Sequence, residues 1–379
     1  MFMIRLLTVI GARPQIIKAA AISRAIRENF QDKIEERILH TGQHYDANMS
    51  QVFFDELGIP SPDYNLGVGS GSHGVQTAKM IDGIEKVLTS DHFDGIILYG
   101  DTNSTLAGAV AASKLQIPVF HVEAGLRSFN MSMPEELNRI VCDHLSSILF
   151  APTKTACDNL VAEGMGSSKA LFQGGKSRLI VNSGDVMYDN ALYFSKMAEK
   201  KSTILSDCHV SSGNYILATI HRDFNTDNPE RIESIFHALS RVAEENDIPI
   251  VLPLHPRTKK YLPSGLSSRI HIIPPASFFD ILTLEKNAGV VMTDSGGVQK
   301  EAFFFGKPCV ILRPETEWVE ILDYHAGILA DADYDRIISA YSTLSGNDVC
   351  FPPLFGDGNA SQIILQSIVD YVHSLPNAR

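Results

Sequence analysis

Tyr99-Gly100-Asp101-Thr102, His121-Val122-Glu123-Ala124-Gly125-Leu126-Arg127 and Met133-Pro134-Glu135-Glu136-Leu137-Asn138-Arg139 fall within one stretch, residues 98–139. The first two pieces each follow a short apolar run, Gly95-Ile96-Ile97-Leu98 and Ile117-Pro118-Val119-Phe120. Runs of that length match strands buried on both faces of a parallel sheet. In an open α/β sheet, ligands meet the carboxyl ends of the strands. Asp101 and Glu123 are therefore expected side by side at one rim. Pro134 marks the first position of a helix, which puts Glu135 within reach of the same place. Three carboxylates with Arg127 and Arg139 close by suggest proton transfer beside an anionic substrate.

The same alternation extends in both directions. Ile4 to Ile10 reads as a first strand, and Pro14 opens a helix with Ala19, Ile22 and Ile26 at helical spacing. Arg37 to Thr41 gives a second strand, ending in Gly42-Gln43-His44, and Ser147 to Ala151 another. Residues 163–185 weaken into Gly, Lys and Ser, including Gly174-Gly175-Lys176, and read as an interdomain connection. Strands are then expected at 215–220, 249–254, 270–273, 289–293 and 309–312. A helix between the first two is capped by Asn228 and opened by Pro229. The reading is an α/β chain with two Rossmann-like domains facing across a cleft. The first domain takes residues 1–180 and the second 181–360; a C-terminal helix, 361–379, is expected to cross back to the first.

With 379 residues the chain suits two domains rather than one core. A net charge of −12 without any basic block argues against a nucleic-acid or acidic-membrane surface. A few local cations and helix N-termini still suffice for a small anion. Five scattered cysteines lack C-x-x-C spacing, which fits reduced thiols in a cytoplasm. The apolar run at 6–10 is strand-length and not a signal peptide, and no window approaches the roughly 18 apolar residues of a membrane helix.

Two strand-to-helix turns carry the signs of anion binding. Gly11-Ala12-Arg13-Pro14-Gln15-Ile16-Ile17-Lys18 joins helix N–H groups to two cations, Arg13 and Lys18. In Thr293-Asp294-Ser295-Gly296-Gly297-Val298-Gln299-Lys300-Glu301, small residues would let a diphosphate approach a helix N-terminus. Glu301 is spaced to bind the two hydroxyls of a ribose. His221-Arg222 follows a strand at the mouth of the second domain and would bind phosphate or move a proton. His255 is a similar strand-end histidine, whereas His44 and His121 read as structural. Neither a dinucleotide-type Gly-x-Gly-x-x-Gly nor a Walker-type loop is present, so NAD and ATP roles are disfavoured. No histidine pair has metal-ligand spacing, and no nucleophile elbow occurs. From these residues alone, a reaction is not identified.

Taken together, these motifs resemble the UDP-N-acetylglucosamine 2-epimerase family. The matching pieces are Gly11-x-Arg13-Pro14…Lys18, Thr41-Gly42-Gln43-His44, Gly100-Asp101-Thr102, His121 to Arg127, Pro134-Glu135-Glu136-x-Asn138-Arg139, His221-Arg222 and Asp294-Ser295-Gly296-Gly297-x-Gln299-x-Glu301. The resemblance implies a GT-B-like fold, a homodimer in the cytoplasm, a UDP-sugar substrate and no cofactor. It implies inversion of C2 of UDP-GlcNAc to give UDP-ManNAc, through loss of UDP to a 2-acetamidoglucal and re-addition, for surface polysaccharide. By matched position, Asp101, Glu123 and Glu135 look like the acid/base group. Arg13, His221 and the Ser295-Gly296-Gly297 turn look like diphosphate holders, and Glu301 the ribose anchor. Lys18, Arg139 and Arg222 join the substrate-binding set.

The sequence also departs from the family pattern. Gln15 stands where many members carry Glu, and Asp223-Phe224 follows His221-Arg222. Thr316-Glu317-Trp318-Val319-Glu320 replaces Thr-Glu-Arg-Pro-Glu, removing an arginine near the nucleotide. This version looks more like the branch that includes UDP-2,3-diacetamido-2,3-dideoxyglucuronate 2-epimerases. A hydrolysing relative, a GT-B glycosyltransferase and a nucleotide-binding regulator are the competing readings.

Overall fold

The structure is a computed structural model that describes residues 2–42, 58–166, 177–254 and 262–375. Gln43, His44, Gly174, Gly175, Lys176 and His255 lie outside the described residues. The chain divides into two compact units, residues 1–190 with 354–379, and residues 191–353.

In the first unit the described strands form one parallel sheet of seven. They are β1 (Ile4–Ile10), β2 (Ile34–His40), β3 (Tyr64–Asn65), β4 (Gly95–Tyr99), β5 (Val119–Val122), β6 (Ile148–Ala151) and β7 (Leu179–Asn182), in the order β3-β2-β1-β4-β5-β6-β7. The second unit repeats the plan with β8 (Ile216–Thr219), β9 (Ile250–Pro253), β10 (Ile270–Ile273), β11 (Val290–Thr293), β12 (Cys309–Ile311) and β13 (Gly327–Leu329), ordered β10-β9-β8-β11-β12-β13. Both are the doubly wound order, in which the winding reverses between the first and fourth strands. In the first sheet that reversal lies between β1 and β4, where the Gly11 and Gly100 turns emerge.

The apolar runs exist because both faces of each sheet are covered. In β8, Ile216 and Ala218 pack with Ile235, Leu239 and Val242 of the helix Pro229–Glu245, while Leu217 packs with Leu284, Val291 and Ile311 on the other face. Leu7, Val9, Ile96 and Leu98 do the same in the first unit, against Met80, Ile84 and Ala111. Each of the larger side chains, Leu, Ile, Val and Met, contributes about 1.5–3 kcal/mol when fully buried.

The division falls at Asn190 rather than 180, and at 354 rather than 361. Residues 179–182, read as connector, are the strand β7 on the edge of the first sheet, with Leu149 and Ile180 in register. The return of the chain begins early because Gly184 and Phe355 touch. A Cβ on Gly184, whose φ is +74°, would lie 2.8 Å from the Phe355 carbonyl oxygen. Just beyond, Asp189 caps the helix Ala360–His373, accepting from the N–H groups of Ala360 (3.0 Å) and Ser361 (2.8 Å).

Candidate active site

The turn after β1 and the turn after β4 are stitched together by one amide. Gln15 Oε1 accepts from the N–H groups of Gly11 (2.9 Å) and Ala12 (3.2 Å). Its Nε2 donates to the Tyr99 carbonyl (3.0 Å) and to Thr105 Oγ1 (3.0 Å). All four hydrogen-bonding positions of the amide are used. A carboxylate here would face the Tyr99 carbonyl without a proton to offer, which gives Gln15 a local reason. Gly11 is equally constrained, since a Cβ would sit 2.1 Å from Thr41 Oγ1 and 2.2 Å from Ser104 Oγ.

Asp101 and Glu123 follow the neighbouring strands β4 and β5, and each meets its own cation. Arg139 Nη2 donates to Asp101 Oδ2 at 2.5 Å, and Lys18 Nζ to Glu123 Oε1 at 2.5 Å. The Lys18 and Glu123 side chains are each only 10% exposed, and Asp101 is 28% exposed. Lys18 crosses close above Gly100, where a Cβ would stand 3.2 Å from its Nζ. Glu123 adopts φ +72°, a conformation that costs a non-glycine residue about 1–3 kcal/mol and persists only where neighbours impose it.

Glu135 is half-buried in the first turn of the helix Pro134–Leu145, but its neighbour Glu136 is the acid built into the network. Glu136 is 1% exposed and accepts from the N–H groups of Ser128 and Phe129 and from Arg139 Nη1 at 2.6 Å. Arg139, buried, thus bridges Glu136 and Asp101. Asn138 Nδ2 donates to the Asp101 carbonyl at 2.9 Å.

His121 is no lone histidine. It is fully buried in β5, with Nδ1 2.7 Å from Asp143 Oδ1 and Nε2 2.8 Å from the Gly100 carbonyl oxygen. Asp143 Oδ2 takes Arg127 Nη1 at 2.8 Å and the Gly125 N–H at 3.2 Å. Arg127 in turn forms an ion pair with Glu163 at 2.7 Å. The sequence reading missed Asp143, although it falls on the helix face that buries Arg139 and Cys142. An acid on a buried helix face is the signal that would have found it.

In the second unit Ser295 caps the helix Gly296–Phe304, its Oγ accepting from the Val298 N–H at 3.5 Å. The two glycines have different reasons. A Cβ on Gly296 would meet Glu317 Oε1 at 2.4 Å, whereas one on Gly297 would find only Ser295 Oγ, at 3.8 Å. Asp294, fully buried, accepts from the N–H groups of His221 and Arg222 and from Asn225 Nδ2, each at 3.1 Å. It also holds the His221 ring, Nδ1 lying 3.3 Å from Oδ1, while that imidazole stays about half exposed. Arg13 is exposed at the opening of its helix, and Arg222 half-buried at the turn after β8. At Trp318, which stands where the family pattern has an arginine, Lys300 Nζ sits 4.4 Å from the indole ring centroid.

Glu301 lies beside Glu285, which is 1% exposed and whose two oxygens find no hydrogen-bond donor. Burial and the neighbouring Glu301 carboxyl hold the Glu285 carboxyl well above the usual range, favouring its protonated form. An acid with a raised folded-state pKa loses stability for the fold as pH climbs past its unfolded value, because the unfolded chain ionises first. Glu285→Gln removes that dependence. It should raise unfolding stability at pH 8 by about 1–3 kcal/mol, with a smaller gain at pH 5 in parallel urea titrations. A gain that does not grow with pH would contradict the protonated state.

Among the described residues, no group of three or more His, Cys, Asp or Glu could hold a metal ion. No described helix is long and apolar enough to cross a membrane. Residues 26–369 match the family model described as UDP-N-acetylglucosamine 2-epimerase. The chain is 49% identical over 364 residues to a UDP-2,3-diacetamido-2,3-dideoxy-D-glucuronate 2-epimerase from Pseudomonas aeruginosa, covering 96% of this chain and 98% of that one. It is similar, at TM-score 0.84 and 41% identity, to the UDP-GlcNAc 2-epimerase of Methanocaldococcus jannaschii solved with UDP-GlcNAc and UDP, covering 97% and 100% of the two chains. A ugt transferase from Siraitia grosvenorii solved with UDP shares the fold at 12% identity, TM-score 0.61 and 98% and 100% coverage. The two doubly wound sheets are those of a GT-B-like α/β fold, and the chain belongs to the UDP-N-acetylglucosamine 2-epimerase family.

Proposed function

We propose that this protein is a non-hydrolysing UDP-sugar 2-epimerase that interconverts UDP-GlcNAc and UDP-ManNAc. The C2 proton of the sugar is not acidified by a carbonyl, so elimination is the route. A base takes that proton while the C1–O bond breaks. The C–H electron pair becomes the C1=C2 double bond of a 2-acetamidoglucal, and UDP leaves with the C–O pair. UDP then attacks C1 again and the proton returns to C2 on the opposite face.

What carries the reading is the pair of acids ending adjacent strands, Asp101 on Arg139 and Glu123 on Lys18. Inversion needs proton-transfer groups on two faces of one carbon, and Asp101, Glu123 and Glu135 fill those roles. Arg13, Lys18, His221, Arg222 and the Ser295-Gly296-Gly297 turn hold the diphosphate, stabilising the leaving charge. Glu301 takes the ribose hydroxyls. The protein works in the cytoplasm as a homodimer and supplies an activated mannosamine-type sugar for surface polysaccharide.

A second reading, UDP-2,3-diacetamido-2,3-dideoxyglucuronate as substrate, is favoured by Trp318-Val319 and by the 49% identity to an enzyme of that name. Incubating the purified protein with each UDP-sugar separately, with products followed by NMR, tests both. The expected result is a mixture of C2 epimers still joined to UDP from one substrate or both. Free N-acetylmannosamine accumulating in step with UDP would reject the non-hydrolysing reading.

A further inference from the structure

We propose that His121 is a buried imidazolium that positions the two acids, tying the turn that carries Asp101 to the turn that carries Glu123. The proposal rests on the epimerase reading for its consequence, but not for its geometry. A carbonyl oxygen only accepts, so the 2.8 Å contact with Gly100 requires a proton on Nε2. The 2.7 Å contact at Nδ1 is to a carboxylate oxygen of Asp143. The other Asp143 oxygen receives a guanidinium and a backbone N–H, an environment for the ionised acid. Both ring nitrogens therefore carry protons.

The groups facing His121 agree. Burial alone would lower its pKa, but Cys142 and Asp143 on the facing helix outweigh it, and the net shift is well upward. Burial would raise Asp143, but His121 and Arg127 hold it below the usual range. Glu163 balances Arg127, and Arg178 is turned to the carbonyls of Ser146 and His144.

Each end of this ion pair grips backbone next to an acid. Through Nε2 the ring fixes the peptide of Gly100, at φ +62° and one residue before Asp101. Through Asp143 it fixes the N–H of Gly125, at φ +80° and two residues after Glu123. A neutral imidazole has one N–H and must face either the carbonyl or the carboxylate with a lone pair. His121 is thus a positioning residue, acting on the acids through the backbone without touching substrate.

The test combines nitrogen-15 NMR of the histidines in the whole wild-type protein with steady-state kinetics of His121→Gln and His121→Asn. The resonances of His121, assigned by their loss in the variants, should show two protonated ring nitrogens at pH 6 and still at pH 8. His121→Gln should lower kcat by about 10- to 100-fold, the cost of misplacing the acids, while KM and UDP affinity by equilibrium dialysis stay within about threefold. His121→Asn, too short to reach Gly100, should lose at least as much. A neutral imidazole at pH 7, a kcat within twofold of wild type, or an equal loss of UDP affinity would each overturn the proposal. Should neither UDP-sugar be epimerised by wild-type protein, the functional reading fails while the NMR still decides the imidazolium. Should the variants fail to fold, the His121 ring nitrogens are assigned in the wild-type protein by through-bond correlation to its assigned backbone, and that spectrum decides the imidazolium.

Discussion

Glu123→Gln and Asp101→Asn are each expected to cut turnover by about a thousandfold while UDP affinity changes less than about threefold. The amides keep size and shape but cannot carry a proton between the two faces of C2, and a positioned acid or base is worth about 10²- to 10⁴-fold. On the proposed reading binding survives, because that reading gives the diphosphate to other groups, among them Ser295 and His221. Glu123→Gln also releases Lys18 from its 2.5 Å ion pair, which would if anything favour an anionic ligand. Steady-state kinetics with equilibrium dialysis of UDP distinguish the outcomes. A regulator without turnover would change in neither measurement, and a purely structural ion pair would lose stability and affinity together.

Asp143→Ala is expected to produce the largest loss of stability, about 3–5 kcal/mol, read from the urea midpoint at constant slope. The carboxylate is completely buried and holds His121, Arg127 and the Gly125 N–H. Removing it leaves the buried His121 without its counter-charge and Arg127 with Glu163 alone. Its pH dependence has a definite sign. Asp143 has a lowered pKa, so its contribution is present above its unfolded value near 3.8 and fades as pH falls through the folded one. His121 has a raised pKa, so its share is complete below about 6.5 and fades as pH rises through the folded one. The gap between wild type and Asp143→Ala should therefore be widest between those limits. A loss below about 1 kcal/mol would mean that water or a rearranged partner replaces the carboxylate.

The alternation of strand and helix was legible because parallel strands bury both faces and so read as unbroken apolar runs. Where that cause is missing, the reading failed. Residues 179–182 form an edge strand whose apolar run, Leu179-Ile180-Val181, is only three residues long, with Leu179 43% exposed. β3 is two residues long, and β13 begins with Gly327. The positions of Asp101, Glu123 and Ser295 followed from strand ends, a local property. Arg139 was expected near the acids, but its pairing with Asp101, 38 residues away, was not, nor was that of Lys18 with Glu123, 105 residues away. Only the three-dimensional winding brings them together. His121 looked structural because it interrupts an apolar strand without a neighbour in sequence. Its acid lies on the next helix, 22 residues on.

Incubation of the wild-type protein with UDP-GlcNAc, and separately with the 2,3-diacetamidouronate, in heavy water and without any acceptor separates elimination from the alternatives most directly. Deuterium should appear at C2 of both epimers with the total of UDP-linked sugar unchanged. Epimers formed with protium retained at C2, or no exchange at all with either substrate, would contradict it.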